Sequence, residues 1–235
     1  MDSFKNIIKQ TVISCFNSLF PPVCYACNIR IDNQNECLCI NCLNRLKPHK
    51  EMLIGEFKNL DMDFYHAICL YQYDYMVHNL IHDFKYKNVK NLGNFFAVNI
   101  VTLIKNDYPK FLEADCVVGV PMHSTKSRER LFNQSHYLCE IVAKGLNVPN
   151  LSKYIKQIVP TQKQSRLKRG ERLSKPEDIY KKIGTESFKD KKVLLVDDVF
   201  TTGTTVNGLS KFLISIGAQR VYVVAIATSG GEPSG

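Results

Sequence analysis

The sequence predicts an α/β fold, a parallel sheet flanked by helices, preceded by a small cysteine-bearing module. Three observations predict it. From residue 60 to residue 228, apolar runs suited to strands alternate with amphipathic runs suited to helices, an order that builds parallel sheets through right-handed crossovers. Residues 193–196 are four branched apolar residues in succession, as a strand buried on both faces requires. Two Cys-x-x-Cys pairs, Cys24/Cys27 and Cys39/Cys42, stand close together near the amino end.

A chain of 235 residues with 45% apolar content can bury a full core, enough for one α/β domain with a small appendage. No apolar run is long enough to span a bilayer, and the first twenty residues carry Asp2, Lys5 and Lys9 without a cleavable leader pattern. These features set the expectation of a cytoplasmic protein. In that reducing compartment, nine cysteines point to metal binding or core packing before disulfides.

The elements follow in order. Phe4, Ile7, Ile8, Val12, Phe16, Leu19 and Phe20 fall at helical spacing, so 1–20 reads as an amphipathic helix stopped by Pro21-Pro22. The cysteine module occupies 21–48. The main domain, 60–228, opens with a strand over 64–71 and helices over 74–87 and 93–105. A strand over 116–120 and a helix over 133–146 come next, then a polar stretch over 160–182. A strand over 193–196, a helix over 204–216 and a strand over 221–228 close the domain. Residues 229–235, Ser-Gly-Gly-Glu-Pro-Ser-Gly, read as a disordered tail.

The chemistry is concentrated at 193–205, Val-Leu-Leu-Val-Asp-Asp-Val-Phe-Thr-Thr-Gly-Thr-Thr. Asp197 and Asp198 fall where the apolar run ends. Thr201, Thr202, Gly203, Thr204 and Thr205 form a hydroxyl loop opening the helix that carries Val206, Leu209, Phe212, Leu213 and Ile216. Free amides at a helix start, threonine hydroxyls and a glycine that allows close approach form a cradle for a phosphate. The carboxylates beside it suit ribose hydroxyls or the waters of a magnesium ion. In the cysteine module, Cys24, Cys27, Cys39 and Cys42 give four thiolates able to close a tetrahedral zinc site with no open position, hence a structural one. Cys37 lies two residues before Cys39 and could replace it. Cys15, Cys69, Cys116 and Cys139 sit in apolar surroundings as core residues.

The strand, acidic pair and hydroxyl loop resemble the phosphoribosyl pyrophosphate (PRPP) signature of type I phosphoribosyltransferases. Three further segments extend the likeness: Leu80-Ile81-x-x-x-Lys85-Tyr86, Arg130-Leu131-Phe132-Asn133-Gln134, and Thr161-x-x-Gln164-x-x-Leu167-x-x-x-Glu171-Arg172. Together with the zinc knuckles, and in this order, they resemble the ComF family of competence proteins over nearly the whole chain. The resemblance implies a type I phosphoribosyltransferase-like sheet and PRPP bound with Mg2+. It assigns Asp197 and Asp198 to the ribose, Thr201 to Thr205 to the 5′-phosphate, and Arg130 to a pyrophosphate loop. Gln164, Arg169 and Arg172 belong to a flexible hood over 160–175. It implies a late cytoplasmic step of DNA uptake in natural transformation, with competence and DNA-processing proteins as partners and peripheral contact with the inner membrane. PRPP-dependent glycosyl transfer is the implied reaction class, and the acceptor stays open. A nucleotide-salvage or biosynthetic phosphoribosyltransferase and a non-catalytic PRPP-sensing DNA binder are the alternatives. Purine-salvage enzymes of this type place an acidic general base where this chain has Thr201.

The net charge of +9 favours polyanionic partners. Basic residues lie among aromatics at His82, Lys85, Tyr86, Lys87 and Lys90. They read either as a surface on which the bases of single-stranded DNA stack or as a solvated basic helix whose aromatics face the core. His66, His78, His123 and His136 stand at no ligand or triad spacing.

Overall fold

The computed structural model describes residues 21–33, 36–49, 64–122, 133–159 and 176–228. The chain divides into two compact units, Met1–Leu46 and Lys47–Gly235. In the first, an antiparallel bridge joins Val23 to Arg30, and a short helix α1 (Ile40–Arg45) follows.

The second unit is built on a four-stranded sheet of β1 (His66–Gln72), β2 (Cys116–Gly119), β5 (Lys192–Phe200) and β6 (Arg220–Thr228). Its order is β1-β6-β5-β2, and every pairing is parallel. Strand side chains alternate between faces, so Val193 and Leu195 share a buried cluster with Val206, Leu209, Phe212 and Leu213 of helix α5 (Thr204–Ser215). On the other face lie α2 (Tyr75–Tyr86), α3 (Lys90–Asp107) and α4 (Gln134–Leu146), with α3 against β1 and α4 against β2 and β5. Helices on both faces are why the strands read as unbroken apolar runs. The fold is type I phosphoribosyltransferase-like.

Helix starts follow local chemistry. Asp74 and Asn133 do not begin helices but cap them, their side chains accepting from the Val77 and His136 amides at 2.8 and 3.3 Å. Two expectations are corrected. The polar stretch over 160–182 ends in structure: Tyr180–Lys182 is strand β4, paired antiparallel with β3 (Ile155–Gln157). Strand β5 does not end at Val196 but continues to Phe200, because β6 runs beside it as far as Thr228. The amphipathic helix over 1–20 and the tail over 229–235 lie outside the described residues. No helix among the described residues is long and apolar enough to cross a membrane.

Candidate functional site

Three element ends converge on the acidic pair. β2 leaves β5 at Gly119, opposite Val196, with a last rung from the Val120 amide to the Val196 carbonyl at 3.0 Å. Beyond it, the first turn of α4 approaches and Ser135 Oγ donates to Asp197 Oδ1 at 3.3 Å. Gly119 permits this approach, since a Cβ there would lie 2.9 Å from the Ser135 backbone. The Asp198 amide also donates to Asp197 Oδ1, at 2.9 Å. From the last turn of α2, Lys85 Nζ pairs with Asp198 Oδ1 at 2.7 Å, both side chains largely buried. The Lys85 carbonyl accepts from Gln134 Nε2 at 3.0 Å, tying the end of α2 to the start of α4.

Burial, and after it the charge of Asp198, pushes the Asp197 carboxyl up from its ordinary 3.8 to about 7, against the lowering pull of the Asp198 amide, Lys85 and Ser135. Near neutrality this acid can therefore both donate and accept, which suits a vicinal diol. The shift has a consequence for stability. Between about pH 4 and pH 7 the native state holds a proton that the unfolded chain has released, so unfolding free energy falls as pH rises through that window. From pH 5 to pH 8, wild type should lose about 1–3 kcal/mol more stability than Asp197→Asn. Urea unfolding at the two pH values measures this, and equal losses in the two proteins contradict it.

Beyond Phe200 the chain turns into α5 through the hydroxyl loop. Gly203 takes the N-cap position at φ 71°, a left-handed conformation that favours glycine, and brings no capping side chain to the first-turn amides. Thr201, Thr202 and Thr204 are exposed. The Thr202 and Thr204 hydroxyls hydrogen-bond each other at 2.8 Å, and Tyr180 Oη donates to the Thr205 carbonyl at 3.2 Å. β4 thus steadies the start of α5.

In the first unit, the four sulfurs of Cys24, Cys27, Cys39 and Cys42 lie within 4.8 Å of one another, with Cys27 Sγ and Cys39 Sγ 3.7 Å apart. Two turns make the cluster. Asn28, left-handed at φ 60°, closes a loop in which the Asn28 amide donates to the Cys24 carbonyl and the Cys24 amide to the Ile29 carbonyl. Cys39 is the N-cap of α1 and Cys42 lies inside it, so a spacing of three puts both thiols on one face. For Cys24, burial raises the thiol pKa, but backbone amides of Cys39, Ala26 and Cys27 outweigh it and bring it down to about 7. Burial, then neighbouring thiols, pushes Cys42 up to about 12. Crowded thiolates repel one another, and a single tetrahedral cation removes the conflict. Cys37 is buried and stands outside the group of four.

The basic surface is redrawn. Lys85, grouped with Lys87 and Lys90 in the sequence, does not present its charge to solvent but pairs with Asp198. Lys87 pairs with Asp83 at 2.8 Å, while Phe84 faces the core and Tyr86 is exposed. Lys85, read with the basic surface in the sequence, and Gln134 and Ser135, which carried no assigned role, are the residues that the structure adds to this site. Lys85 lies four residues after the buried Ile81, on the edge of the core-facing stripe, and that position is the available signal. Arg130 and the hood residues Gln164, Arg169 and Arg172 lie outside the described residues.

Known proteins agree with this architecture. The phosphoribosyl transferase domain family matches residues 133–234. Competence protein F of Haemophilus influenzae is 28% identical over 153 residues, covering 63% of this chain and 66% of that protein. Competence protein ComFC of Bacillus subtilis is 26% identical over 148 residues, covering 63% and 58%. DNA utilization protein YhgH of Salmonella typhi is 31% identical over 110 residues, covering 46% and 47%. The matched stretches thus span between about half and two thirds of these relatives' own lengths. The chain is a homologue of the ComF, ComFC and YhgH proteins and carries a phosphoribosyl transferase domain in its carboxy-terminal half.

Proposed function

We propose that this chain binds Mg-PRPP along Asp197 to Thr205 and acts in a late cytoplasmic step of DNA uptake during natural transformation, at or near the inner membrane. The observation that carries the reading is the acidic pair on β5 just beyond its pairing with β2, followed within a few residues by the start of α5, where Gly203 supplies no capping side chain and the Thr204 amide donates to Thr202 Oγ1 at 3.4 Å. In this reading Asp197 and Asp198 receive the ribose 2′ and 3′ hydroxyls, and Thr201, Thr202, Gly203, Thr204 and Thr205 surround the 5′-phosphate with amides and hydroxyls. Arg130 would supply donors to the pyrophosphate, and the hood residues Gln164, Arg169 and Arg172 would close over PRPP and exclude water. Magnesium would neutralise the pyrophosphate charge next to the acidic pair. Lys85 already holds one positive charge there, on Asp198 Oδ1. The four cysteines of the first unit would hold one structural zinc.

Thr201 offers an exposed hydroxyl and no carboxylate, which favours a second reading, a PRPP sensor without turnover. Calorimetric titration with PRPP tests the common element. Binding is expected with magnesium and not with EDTA, and absence of heat in both overturns the assignment. Exchange of labelled pyrophosphate into PRPP then separates an enzyme from a sensor.

A further inference from the structure

A cavity of about 820 Å³ lies between α4 and the chain that returns from it over residues 147–153. Its two walls have a simple origin. Asn147 ends α4 in the left-handed conformation at φ 58°, and the chain then runs back along the edge strand β2. There the Val117 amide donates to the Pro149 carbonyl at 3.0 Å and the Leu151 amide to the Val117 carbonyl at 2.9 Å. Past Val148 the return is thus bonded to the sheet edge, and a recess is left along the flank of the helix that carries His136, Glu140 and Lys144. None of the lining residues belongs to the acidic pair or the hydroxyl loop.

The polar groups around this cavity are left without protein partners. Asn150 Oδ1 accepts from both the amide and the hydroxyl of the buried Ser152, while its amide nitrogen meets no acceptor among the described residues. Lys144 and Lys153 stand one on each wall, both exposed, and neither pairs with a carboxylate among the described residues. Glu140, also exposed, likewise has no cation there. His136 Nε2 is buried with no hydrogen-bond partner, and its ring is packed so closely on Gly119 that a Cβ there would lie 3.0 Å from His136 Cδ2. Burial lowers the His136 pKa against the pull of Glu140, so near pH 7 the ring is neutral and adds no charge to the two lysines.

We propose that this cavity binds a 5′-mononucleotide, its phosphate held by Lys144, Lys153 and the Asn150 amide, its base along Val148 and Pro149, and a hydroxyl or amino group donated to Glu140. The volume lies within the roughly 300–1,000 Å³ of small-molecule sites. Two unpaired cations and a free amide donor against one carboxylate select an anion. Bare phosphate would fill a fraction of the space and would set a like charge against Glu140. The ligand therefore has to carry hydrogen-bond donors at a distance from its phosphate, together with a flat apolar face for the proline wall, and a nucleotide carries both. The site stands on its own residues and does not depend on the proposed ribose site.

Calorimetric titration of the full chain at low salt with adenosine and uridine 5′-monophosphates, each with and without saturating Mg-PRPP, tests it. At least one of the two is expected to bind at least about tenfold more tightly than inorganic phosphate, and to do so whether or not Mg-PRPP is present. Asn150→Asp keeps the oxygen that holds Ser152 and exchanges the free donor for a carboxylate oxygen, so it is expected to weaken this binding by roughly ten- to a hundredfold in a folded protein. Lys144→Gln with Lys153→Gln, both on exposed side chains, is expected to weaken it by about tenfold and to remove most of its salt dependence. Mg-PRPP affinity is expected to equal that of wild type in all of these variants. No binding of either mononucleotide, equal affinity for inorganic phosphate, wild-type affinity in Asn150→Asp or in the double lysine variant, or displacement by Mg-PRPP each overturns the cavity as a nucleotide site. A wild type that binds the mononucleotide in this Asn150-dependent way but not Mg-PRPP overturns only the ribose site.

Discussion

Replacing Asp197 and Asp198 together by alanine is expected to weaken Mg-PRPP binding by about two to four orders of magnitude. Each carboxylate would accept charge-assisted hydrogen bonds worth roughly 1.5–3 kcal/mol, and about 3–6 kcal/mol for the pair corresponds to that loss. The two single variants are expected to differ in stability. Asp198→Ala strands the Lys85 ammonium, whose side chain is only 16% exposed, without its partner at 2.7 Å. Asp197→Ala relieves an acid whose ionisation burial already opposes. Asp198→Ala should therefore unfold at lower urea than Asp197→Ala, and calorimetry on folded protein reads the affinities. Unchanged PRPP affinity in the double variant contradicts the ribose assignment.

The second large effect belongs to the cysteine cluster. About one equivalent of zinc is expected in purified protein, and Cys42→Ser is expected to remove it and unfold the module over 21–48. Structural zinc in small thiolate modules contributes apparent binding energies of roughly 10–16 kcal/mol, more than a short helix and one bridge can replace. Cys37→Ser should retain the metal, because Cys37 lies outside the four-sulfur group. Elemental analysis decides both points. Less than about half an equivalent in wild type, or metal loss on Cys37→Ser alone, contradicts the ligand set.

Much of this architecture was legible because its signals are local. The apolar run of β5, the hydroxyl loop and the amphipathic pattern of α5 occupy one continuous stretch, and the paired cysteine spacing is likewise local. What escaped is long-range. Lys85 reaches Asp198 and Ser135 reaches Asp197 from other helices, and no nearby residue advertises either contact. Lys85 sits in a basic, aromatic segment, so composition alone assigned it to the surface. Strands β3 and β4 have three residues each and meet across an intervening stretch longer than both together. Alternation over three residues carries too little information to mark a strand. The continuation of β5 through its two acids was masked because carboxylates disfavour strands unless a neighbouring strand compels them, as β6 does here.

That continuation divides β5 into two mechanical regimes. Through Val196 the strand is hydrogen-bonded on both sides, while from Asp197 to Phe200, among the described residues, the sheet grips it from the β6 side alone. Opening the first half means parting the centre of the sheet, whereas opening the second needs only a local excursion of smaller free energy. The acidic pair and the loop after it lie on this softer half, anchored to a stiff one. They can yield to an incoming ligand and spring back on its release while the buried strand beneath them keeps its register.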